Sequence, residues 1–449
     1  MIRTAPPIPA PVPLPSGGGN APQVCGRSMK ASVAVPQRSL RRKRVLEPCE
    51  DDLGPFNVKS SAAKKLFSSR SSVDTLSSST IKKVVENKVE VTSISKRLVS
   101  TSQCSEDLAQ AYPKLAYSEE VESKFGGEGW KWCSLGVGRA ELCLDFTLPT
   151  GQSFRWRRTG LSQYTGVLGA HLISLRQIAD DVEFFHHASS CKANASGSDI
   201  EKDIREYLNL DTSLVVLYTE FSVADARFAA VAPFIAGARL LRQSPLECVF
   251  QFICSSNNHI QRITTMVDYL SSHGSFLGSV NGIRFHQFPS LEELAPISES
   301  QLRENGFGYR AKYIVGAVEM LRQKEGGEQW LMSLRRLSLE DAVTSLCTLP
   351  GIGPKVAACI ALFSLDQHHA IPVDTHVWQI AVKYLLPELE GRKLTVKLHR
   401  EVAEAFVQRF GKYAGWAHTV LFIAELSSQQ NLLPAHLRVQ KKQNAKTSK

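Results

Sequence analysis

The chain of 449 residues lacks any Cys-x-x-Cys pair, although it contains ten cysteines. Scattered cysteines of this kind are typical of a reduced, intracellular protein and not of a disulfide framework. The chain also lacks a long apolar run, because its longest uncharged stretch, residues 4–26, contains seven prolines. Such a stretch suits neither a membrane-spanning helix nor a secretory signal, so we expect a soluble protein without a membrane partner.

A basic excess is missing from most of the chain, despite a formal net charge of +10. Residues 1–100 hold 17 basic and 7 acidic residues, and residues 431–449 hold five basic residues and no acid. Residues 101–430 therefore hold 31 basic and 36 acidic residues. If this central part binds nucleic acid, a few placed groups must provide the attraction, since its overall charge does not.

Composition divides the chain into four segments. Residues 1–115 form a basic tail rich in proline and serine, which we expect to be disordered because it can bury little apolar surface. A small antiparallel β-sheet domain is expected over 125–211 and a helical core over 212–430. A frayed basic tail follows over 431–449. The predicted fold class is therefore α+β.

A short basic run, Arg41-Arg42-Lys43-Arg44, lies inside the N-terminal tail. It is either a nuclear address or an ordinary solvated charge run. No acidic residue precedes Glu47, so a mitochondrial or chloroplast address is a lesser alternative. We expect a nuclear protein.

Local patterns predict individual elements of the two folded segments. Alternating apolar residues predict a strand over 141–147, and two apolar runs, 164–168 and 171–175, predict a β-hairpin. Apolar residues at spacings of three and four predict helices over 224–241 and 245–254. The other local predictions are a helix break at 306–308, a helix capped by Ser338 that ends near Cys347, and loops at His186-His187 and His368-His369.

The segment 349–359 predicts a turn between two helices. Gly351 and Gly353 permit positive φ and the close approach of another chain, and Pro354 suits the first position of the second helix. The free N–H groups at such a helix start can bind a phosphate. Lys355 lies in that first turn, where the helix field and partial burial are expected to lower its pKa towards a nucleophilic amine. A lone lysine could equally be an ordinary surface residue.

Asp374 follows an extended Ile-Pro-Val segment and precedes an apolar-periodic helix, so we predict that it is a helix N-cap. Capping alone would account for most such residues. The combination of a hairpin lysine with a Pro-Val-Asp cap nineteen residues later is more specific than either feature alone.

These motifs resemble the helix-hairpin-helix DNA glycosylases, and within them the eukaryotic 8-oxoguanine DNA glycosylase family. The resemblance covers about residues 130–427. It rests on the hairpin run at 349–357, on Pro-Val-Asp-Thr-His at 372–376 and on four further stretches. These are Gly-Gln-Ser-Phe-Arg-Trp at 151–156, Cys-Ser-Ser-Asn-Asn at 254–258, Gly-Tyr-Arg at 308–310 and Tyr-Ala-Gly-Trp-Ala at 413–417.

The resemblance implies catalytic roles for two residues. Lys355 would attack C1′ of the damaged nucleotide, displace the base and form a Schiff base that permits β-elimination. Asp374 would assist proton movement and stabilise positive charge on the sugar. Since an Asp beside a Lys also favours the ammonium, the proton must go to Asp374 or to the departing base, and the sequence leaves both routes open.

The resemblance also implies a pocket for the extruded base. Lys355 and Cys359 share one helix face, and His418 and Phe422 share another. The base would stack between Cys359 and Phe422 and would donate its N7–H to the main-chain carbonyl of Gly151. His418 departs from the family, which has Gln at this position, so base recognition here must differ.

The remaining implied contacts are with double-stranded DNA. Asn257 and Tyr309 would fill and wedge the gap left by the base, and Arg262 and Arg310 would hold the opposite cytosine. His376 and the hairpin residues Gly351, Gly353 and Val356 would meet the phosphate backbone. The protein is expected to act as a monomer.

No cofactor is expected. No cysteine follows Cys359, so the iron–sulfur cluster of related glycosylases is not expected. As in the family, carbonyls of Cys347, Leu349 and Ile352 could surround a structural monovalent cation. Two other functions stay open at this point: a glycosylase for another damaged purine, such as an alkylated one, and a DNA-binding scaffold without catalysis.

Overall fold

The computed structural model describes residues 131–187 and 197–438. The predicted N-terminal tail, with its basic run, therefore lies outside the described residues, as does 439–449. Within the described ranges, no helix is long and apolar enough to cross a membrane.

The first folded segment is a five-stranded antiparallel sheet in the order β1-β5-β4-β3-β2. Its central hairpin is the predicted one, and Leu168 pairs with His171 across the turn. The strands are β1 Cys133–Ser134, β2 Arg157–Arg158, β3 Gln163–Leu168, β4 His171–Gln177 and β5 Val182–His187.

Two local predictions for this segment are wrong. Residues 141–147 contain no strand but a single helical turn, α1 Leu144–Thr147. Leu142, Cys143 and Leu144 are all buried, so the apparent alternation does not separate an inner from an outer face. His186 and His187 are not in a loop but end strand β5, where they pair with Ile173 and Leu172 of β4.

The second segment is helical and interrupted by one small hairpin. Its elements are α2 Gly197–Tyr207, α3 Leu214–Ala224, α4 Ala226–Val231, α5 Pro245–Ser255, α6 Ile260–Ser271, β6 Phe276–Val280, β7 Ile283–His286, α7 Leu291–Leu294, α8 Glu299–Glu304, α9 Arg310–Gln323, α10 Glu328–Ser333, α11 Leu339–Leu346, α12 Pro354–Ser364, α13 Thr375–Tyr384, α14 Val396–Phe410 and α15 Ala414–Glu425. Short 3₁₀ turns connect several of them.

The structure confirms the helix at 245–254, the break between α8 and α9 and the Ser338 cap. The single helix predicted over 224–241 is wrong. Asp225 interrupts it by capping α4, because its side chain accepts a hydrogen bond from the Phe228 amide at 2.8 Å. The chain then leaves the helix altogether, and Gly237 takes a φ of +81°.

Arg239 joins the sheet segment to the helical core. Its side chain is only 1% exposed, and its guanidinium donates to the Glu141 carboxylate and to the Thr212 carbonyl, each at 2.7 Å. The buried guanidinium is tolerated because its hydrogen bonds are satisfied. The link fixes the position of residues 151–152 as well, since the Gln152 amide donates to the Arg239 carbonyl at 2.9 Å.

Helix α12 lies at the centre of the helical core. Eight of its residues, from Val356 to Ser364, are buried, and it packs on α5 through stacked rings of Phe252 and Phe363, whose centroids are 5.5 Å apart.

The packed chain also extends beyond 430, because Leu433 is 1% exposed and Arg227 donates to the Leu437 carbonyl. The predicted boundary of the frayed tail is therefore too early.

Candidate active site

The predicted helical hairpin consists of α11, α12 and the turn between them. Gly351 is required in this turn for two reasons: its φ is +81°, and a Cβ atom there would lie 2.7 Å from the Tyr313 side chain. Gly353 is different, because its φ of −96° is open to any residue. Apart from its two chain neighbours, no residue lies within 4 Å of the position of a Gly353 Cβ, which leaves this side of the turn open to another molecule.

The start of α12 offers unpaired donors on that open side. Gly353 is the N-cap and provides no side-chain hydrogen bond, and Pro354 is the first helical residue. The next amides, of Lys355 and Val356, have no acceptor within a helix at this position. The Val356 side chain is buried, so Val356 can meet a phosphate only through its main chain.

Lys355 rises from the buried helix into a half-open site. Its side chain is 35% exposed, and its Nζ lies 4.0 Å from Oδ2 of Asp374. The Cys359 thiol lies one turn further along the same helix face, and its sulfur influences the pKa of the lysine. The lysine thus has a neighbouring carboxylate and a neighbouring thiol.

These neighbours determine the protonation of Lys355. Its pKa is raised above the ordinary value by the Cys359 sulfur and also by the Asp374 carboxylate, against the opposing effect of burial. Burial raises the pKa of the Cys359 thiol too, so this thiol is protonated at neutral pH and Asp374 is the remaining negative charge. The expected lowering of the lysine pKa is therefore wrong for the free protein, which holds an ammonium.

Asp374 uses its two carboxylate oxygens separately. Oδ1 accepts hydrogen bonds from the amides of His376 and Val377 at 2.9 and 3.0 Å, which confirms Asp374 as the N-cap of α13. Oδ2 is the oxygen nearest Lys355. The cap thus fixes the carboxylate while one oxygen stays directed at the reactive amine.

Helix α15 forms the opposite wall of the site, and its position depends on Gly415. The Gly415 amide donates to the His368 carbonyl at 2.9 Å, and a Cβ there would come within 2.8 Å of the carbonyl oxygens of His368 and Ala370. The Trp416 indole donates to the His368 ring at 3.1 Å. The sequence pattern predicts the loop at His368 correctly but carries no signal for its contacts with α15.

His418 and Phe422 lie on this wall as predicted, one turn apart. Their rings stack with centroids 6.3 Å apart, and the His376 and Phe422 rings are nearly perpendicular with centroids 6.4 Å apart. His418 is 5% exposed, and neither of its ring nitrogens has a hydrogen-bond partner. Burial, opposed by Asp374, lowers its pKa to about 4. A neutral imidazole therefore lies beside the lysine and the carboxylate.

Gly151 lies on a separate segment that the sheet supplies. It has a φ of +87°. The Gln152 side chain beside it donates to the Arg239 carbonyl and accepts from the Leu241 amide. The next residues reach the helical core, since the Phe154 amide donates to the Gln251 side chain at 2.7 Å. The segment is therefore rigidly attached to α5, against which α12 packs.

A second group of predicted residues surrounds one exposed turn. Asn257 is at its tip with a φ of +47°, and the Tyr309 hydroxyl donates to the Ser256 carbonyl at 3.0 Å. Arg310 is only 2% exposed and donates to the Ser256 and Asn257 carbonyls. Arg262 is exposed and donates to the Gly306 carbonyl at 2.8 Å. In this arrangement Arg310 supports the Asn257 turn and does not present its guanidinium at the surface.

The helical hairpin, the lysine at the start of its second helix and the capping aspartate together define a base-excision glycosylase of the helix-hairpin-helix class. Comparison with known proteins agrees. Residues 134–249 match the family described as 8-oxoguanine DNA glycosylase, N-terminal domain. Residues 250–406 match the HhH-GPD superfamily of base excision DNA repair proteins.

Individual relatives give the same result. The N-glycosylase/DNA lyase OGG1 of Arabidopsis thaliana is 57% identical over 306 residues, which cover 68% of this chain and 82% of that protein. The N-glycosylase/DNA lyase of Saccharomyces cerevisiae is 33% identical over 333 residues, 66% of this chain and 87% of that protein. The chain belongs to the eukaryotic 8-oxoguanine DNA glycosylase family of the helix-hairpin-helix superfamily.

A solved structure also matches the fold. The 8-oxoguanine glycosylase/lyase of Clostridium acetobutylicum, in complex with double-stranded DNA containing cytosine opposite 8-oxoguanine, has a TM-score of 0.55 and 27% identity. The match covers 63% of this chain and 91% of that one.

The divided use of the Asp374 oxygens predicts different stabilities for two variants. Asp374→Ala removes the acceptor for two amides and should lower the free energy of unfolding by about 1 kcal/mol. Asp374→Asn keeps an acceptor oxygen and should be less destabilising, although it removes the charge that faces Lys355. Urea unfolding of both variants measures the difference. Equal losses of stability would show that the capping interaction is not significant.

Proposed function

We propose that this protein is a DNA glycosylase with lyase activity that excises 8-oxoguanine opposite cytosine from duplex DNA in base excision repair. The observation that carries the proposal is the 4.0 Å contact between Lys355 and Asp374 at the open end of the hairpin. Membership of the family and the relatives' names support it. A DNA-binding scaffold would need neither residue, so the contact argues against that alternative.

The proposed reaction begins with Lys355 as the nucleophile. Its Nζ forms a bond to C1′ of the damaged nucleotide while the bond from C1′ to the base breaks, and the departing base leaves with the electron pair of that bond. The lysine must lose a proton before or during this step, and the proton goes to Asp374 or to the base. Opening of the sugar then gives the Schiff base, which allows β-elimination of the 3′ phosphate.

Asp374 is proposed to stabilise the positive charge that develops on the sugar. Its Oδ1 is held by two amides and its Oδ2 is directed at Lys355, so the charge is in place before the reaction begins. A preorganised charge of this kind stabilises a transition state without a cost of rearrangement.

The proposed DNA contacts extend over two sides of the site. The hairpin amides and the exposed His376 would hold the backbone of the damaged strand. Asn257, Tyr309 and Arg262 are grouped where they could enter the gap left by an extruded base. Arg310 would reach the opposite cytosine only after it exchanges the carbonyls of the turn for the base. We propose that the protein does this as a monomer.

We propose that catalysis requires no cofactor and that the protein holds no iron–sulfur cluster. Among the described residues, no three or more metal-ligating side chains are grouped together. A monovalent cation is proposed only as a structural element at the carbonyls of Cys347, Leu349 and Ile352. Cys347 ends α11, and carbonyls at a helix end lack helical partners and attract cations.

We propose a nuclear location, on the basis of the basic run at 41–44. Replacement of its four basic residues by alanine in a fluorescent fusion of the full chain should reduce nuclear accumulation. The matched control replaces Lys64 and Lys65, which lie in the same tail. Equal nuclear signal in the unaltered and the 41–44 variants would refute the address, and accumulation in an organelle would favour the alternative targeting.

The Schiff base is tested by borohydride trapping on duplexes with 8-oxoguanine opposite each normal base. We expect a covalent adduct with the cytosine-paired duplex and none with Lys355→Gln, which has no amine. A variant at Lys383, an exposed-face lysine on α13, is the matched control and should still form the adduct. Absence of any adduct in the unaltered protein would refute the proposed mechanism, whereas base release without an adduct would indicate a water-using glycosylase.

A further inference from the structure

Two buried glutamines bind the main chain on both sides of Ser153. The Gln251 side chain accepts a hydrogen bond from the Phe154 amide at 2.7 Å, and the Gln243 side chain donates to the Gln152 carbonyl at 2.7 Å. The two side chains also meet each other, since the Gln251 amide group donates to Gln243 Oε1 at 3.2 Å. We call Gln243 and Gln251 together the glutamine clamp.

The main chain fixes the direction of every hydrogen bond in the glutamine clamp. The Phe154 N–H can only donate, so Gln251 must turn its oxygen towards it. The Gln152 carbonyl can only accept, so Gln243 must turn its NH₂ group towards it. The remaining donor of Gln251 then faces the remaining acceptor of Gln243. The two residues are 0% and 1% exposed, and a buried polar network in which every group is paired specifies a single arrangement.

The glutamine clamp also reaches the helix that carries Lys355. The Gln243 main-chain amide donates to the Phe363 carbonyl at 2.8 Å, and Phe363 lies in the last turn of α12. Gln251 lies on α5, which packs on the same helix. Gln243 is therefore bonded to α12 through its main chain and to the segment that follows Gly151 through its side chain.

Aromatic contacts link the same parts of the protein but do not set the direction of a peptide group. Phe154 meets Phe252 of α5 in an edge contact with ring centroids 6.2 Å apart, and Phe252 stacks on Phe363. Such contacts hold a distance, whereas hydrogen bonds also hold a direction. Gln152 is held by its side chain and by its carbonyl, so the direction of the preceding Gly151 carbonyl is set from this side.

We propose that the glutamine clamp positions the Gly151 carbonyl relative to Lys355, and that it thereby controls the rate of base excision but not the rate of strand cleavage. The inference rests on the proposed glycosylase function and on the expected contact of the extruded base with the Gly151 carbonyl. Both glutamines are positioning residues, because they act through the main chain that they bind. A misplacement of about 1 Å can slow a reaction by about a hundredfold.

The test compares two single-turnover reactions of each protein: excision of 8-oxoguanine opposite cytosine, and cleavage of a duplex with a preformed abasic site. Gln251→Met keeps the length of the side chain but removes its donor and its acceptor. It should slow excision by about ten- to a hundredfold. Abasic cleavage should keep the unaltered rate, because that reaction uses Lys355 without a base to position. Gln243→Met should give the same pattern.

The two glutamines should act as one unit. Loss of either side chain opens the glutamine clamp, so the double variant Gln243→Met/Gln251→Met should slow excision no further than the slower single variant does. If the two effects multiply instead, the side chains act as independent packing groups and the inference is wrong.

Gln367→Met is the matched control. Gln367 is also buried, and its side chain donates to a main-chain carbonyl, that of Leu337, at 3.0 Å. This variant should lose stability in urea unfolding, as the clamp variants do, but it should keep the unaltered ratio of excision to abasic cleavage. A fall in the ratio as large as that of Gln251→Met would show that the ratio follows general stability, and would contradict the inference.

Partial unfolding is separated from misplacement by counting active molecules. Borohydride trapping on the abasic duplex gives the active fraction of each preparation, and both rates are corrected by it. Gln251→Asn is a second, milder variant, because it keeps an amide group that is one methylene too short to reach both Phe154 and Gln243. It should lower the ratio of excision to abasic cleavage as well.

Two results would overturn the inference. Abasic cleavage that slows in step with excision in the clamp variants would assign the glutamines a purely structural role. Excision at the unaltered rate in these variants would show that the Gly151 carbonyl is positioned without them. Neither result affects the proposed function, which fails only if the unaltered protein excises no 8-oxoguanine.

Discussion

The contact between the Lys355 ammonium and the Asp374 carboxylate is the interaction on which the account of this site depends. Each group comes from the start of a different helix, and each helix start is fixed by its own packing. Helix α12 cannot shift because nearly all of it is buried. Asp374 cannot turn away because it caps α13 through two amides. The packing of the core therefore sets the 4.0 Å separation, although both groups lie at an open surface.

This arrangement gives the free protein a resting state in which the nucleophile is still protonated. The Asp374 carboxylate favours the ammonium, so attack on a sugar requires removal of a proton. A departing base provides an acceptor at the time when it is needed, which would couple activation of the lysine to the presence of a substrate. The neutral His418 ring beside this pair carries no charge that would compete with the transfer.

Sequence patterns predicted those parts of the site that depend on local chemistry. The Gly351 turn, Pro354, the Asp374 cap and the i, i+4 pairs follow from backbone rules that act over a few residues. Tertiary features were not predictable in the same way. The raised lysine pKa depends in part on Asp374, which caps another helix. The burial of Arg310 depends on the Asn257 turn, and the His368 contact with Trp416 joins residues 48 positions apart. Burial on both sides of residues 142–144 likewise made a helical turn look like a strand.

The pKa of Lys355 in the free protein is the most direct measure of the resting state of this site. It can be measured by a carbon-13 NMR titration of lysine-labelled protein, with Lys355→Gln used to assign the signal. We expect a value above the ordinary lysine pKa of about 10.4, and a lower value in Asp374→Asn. A pKa below the ordinary value in the unaltered protein, or one that Asp374→Asn does not change, would contradict this expectation.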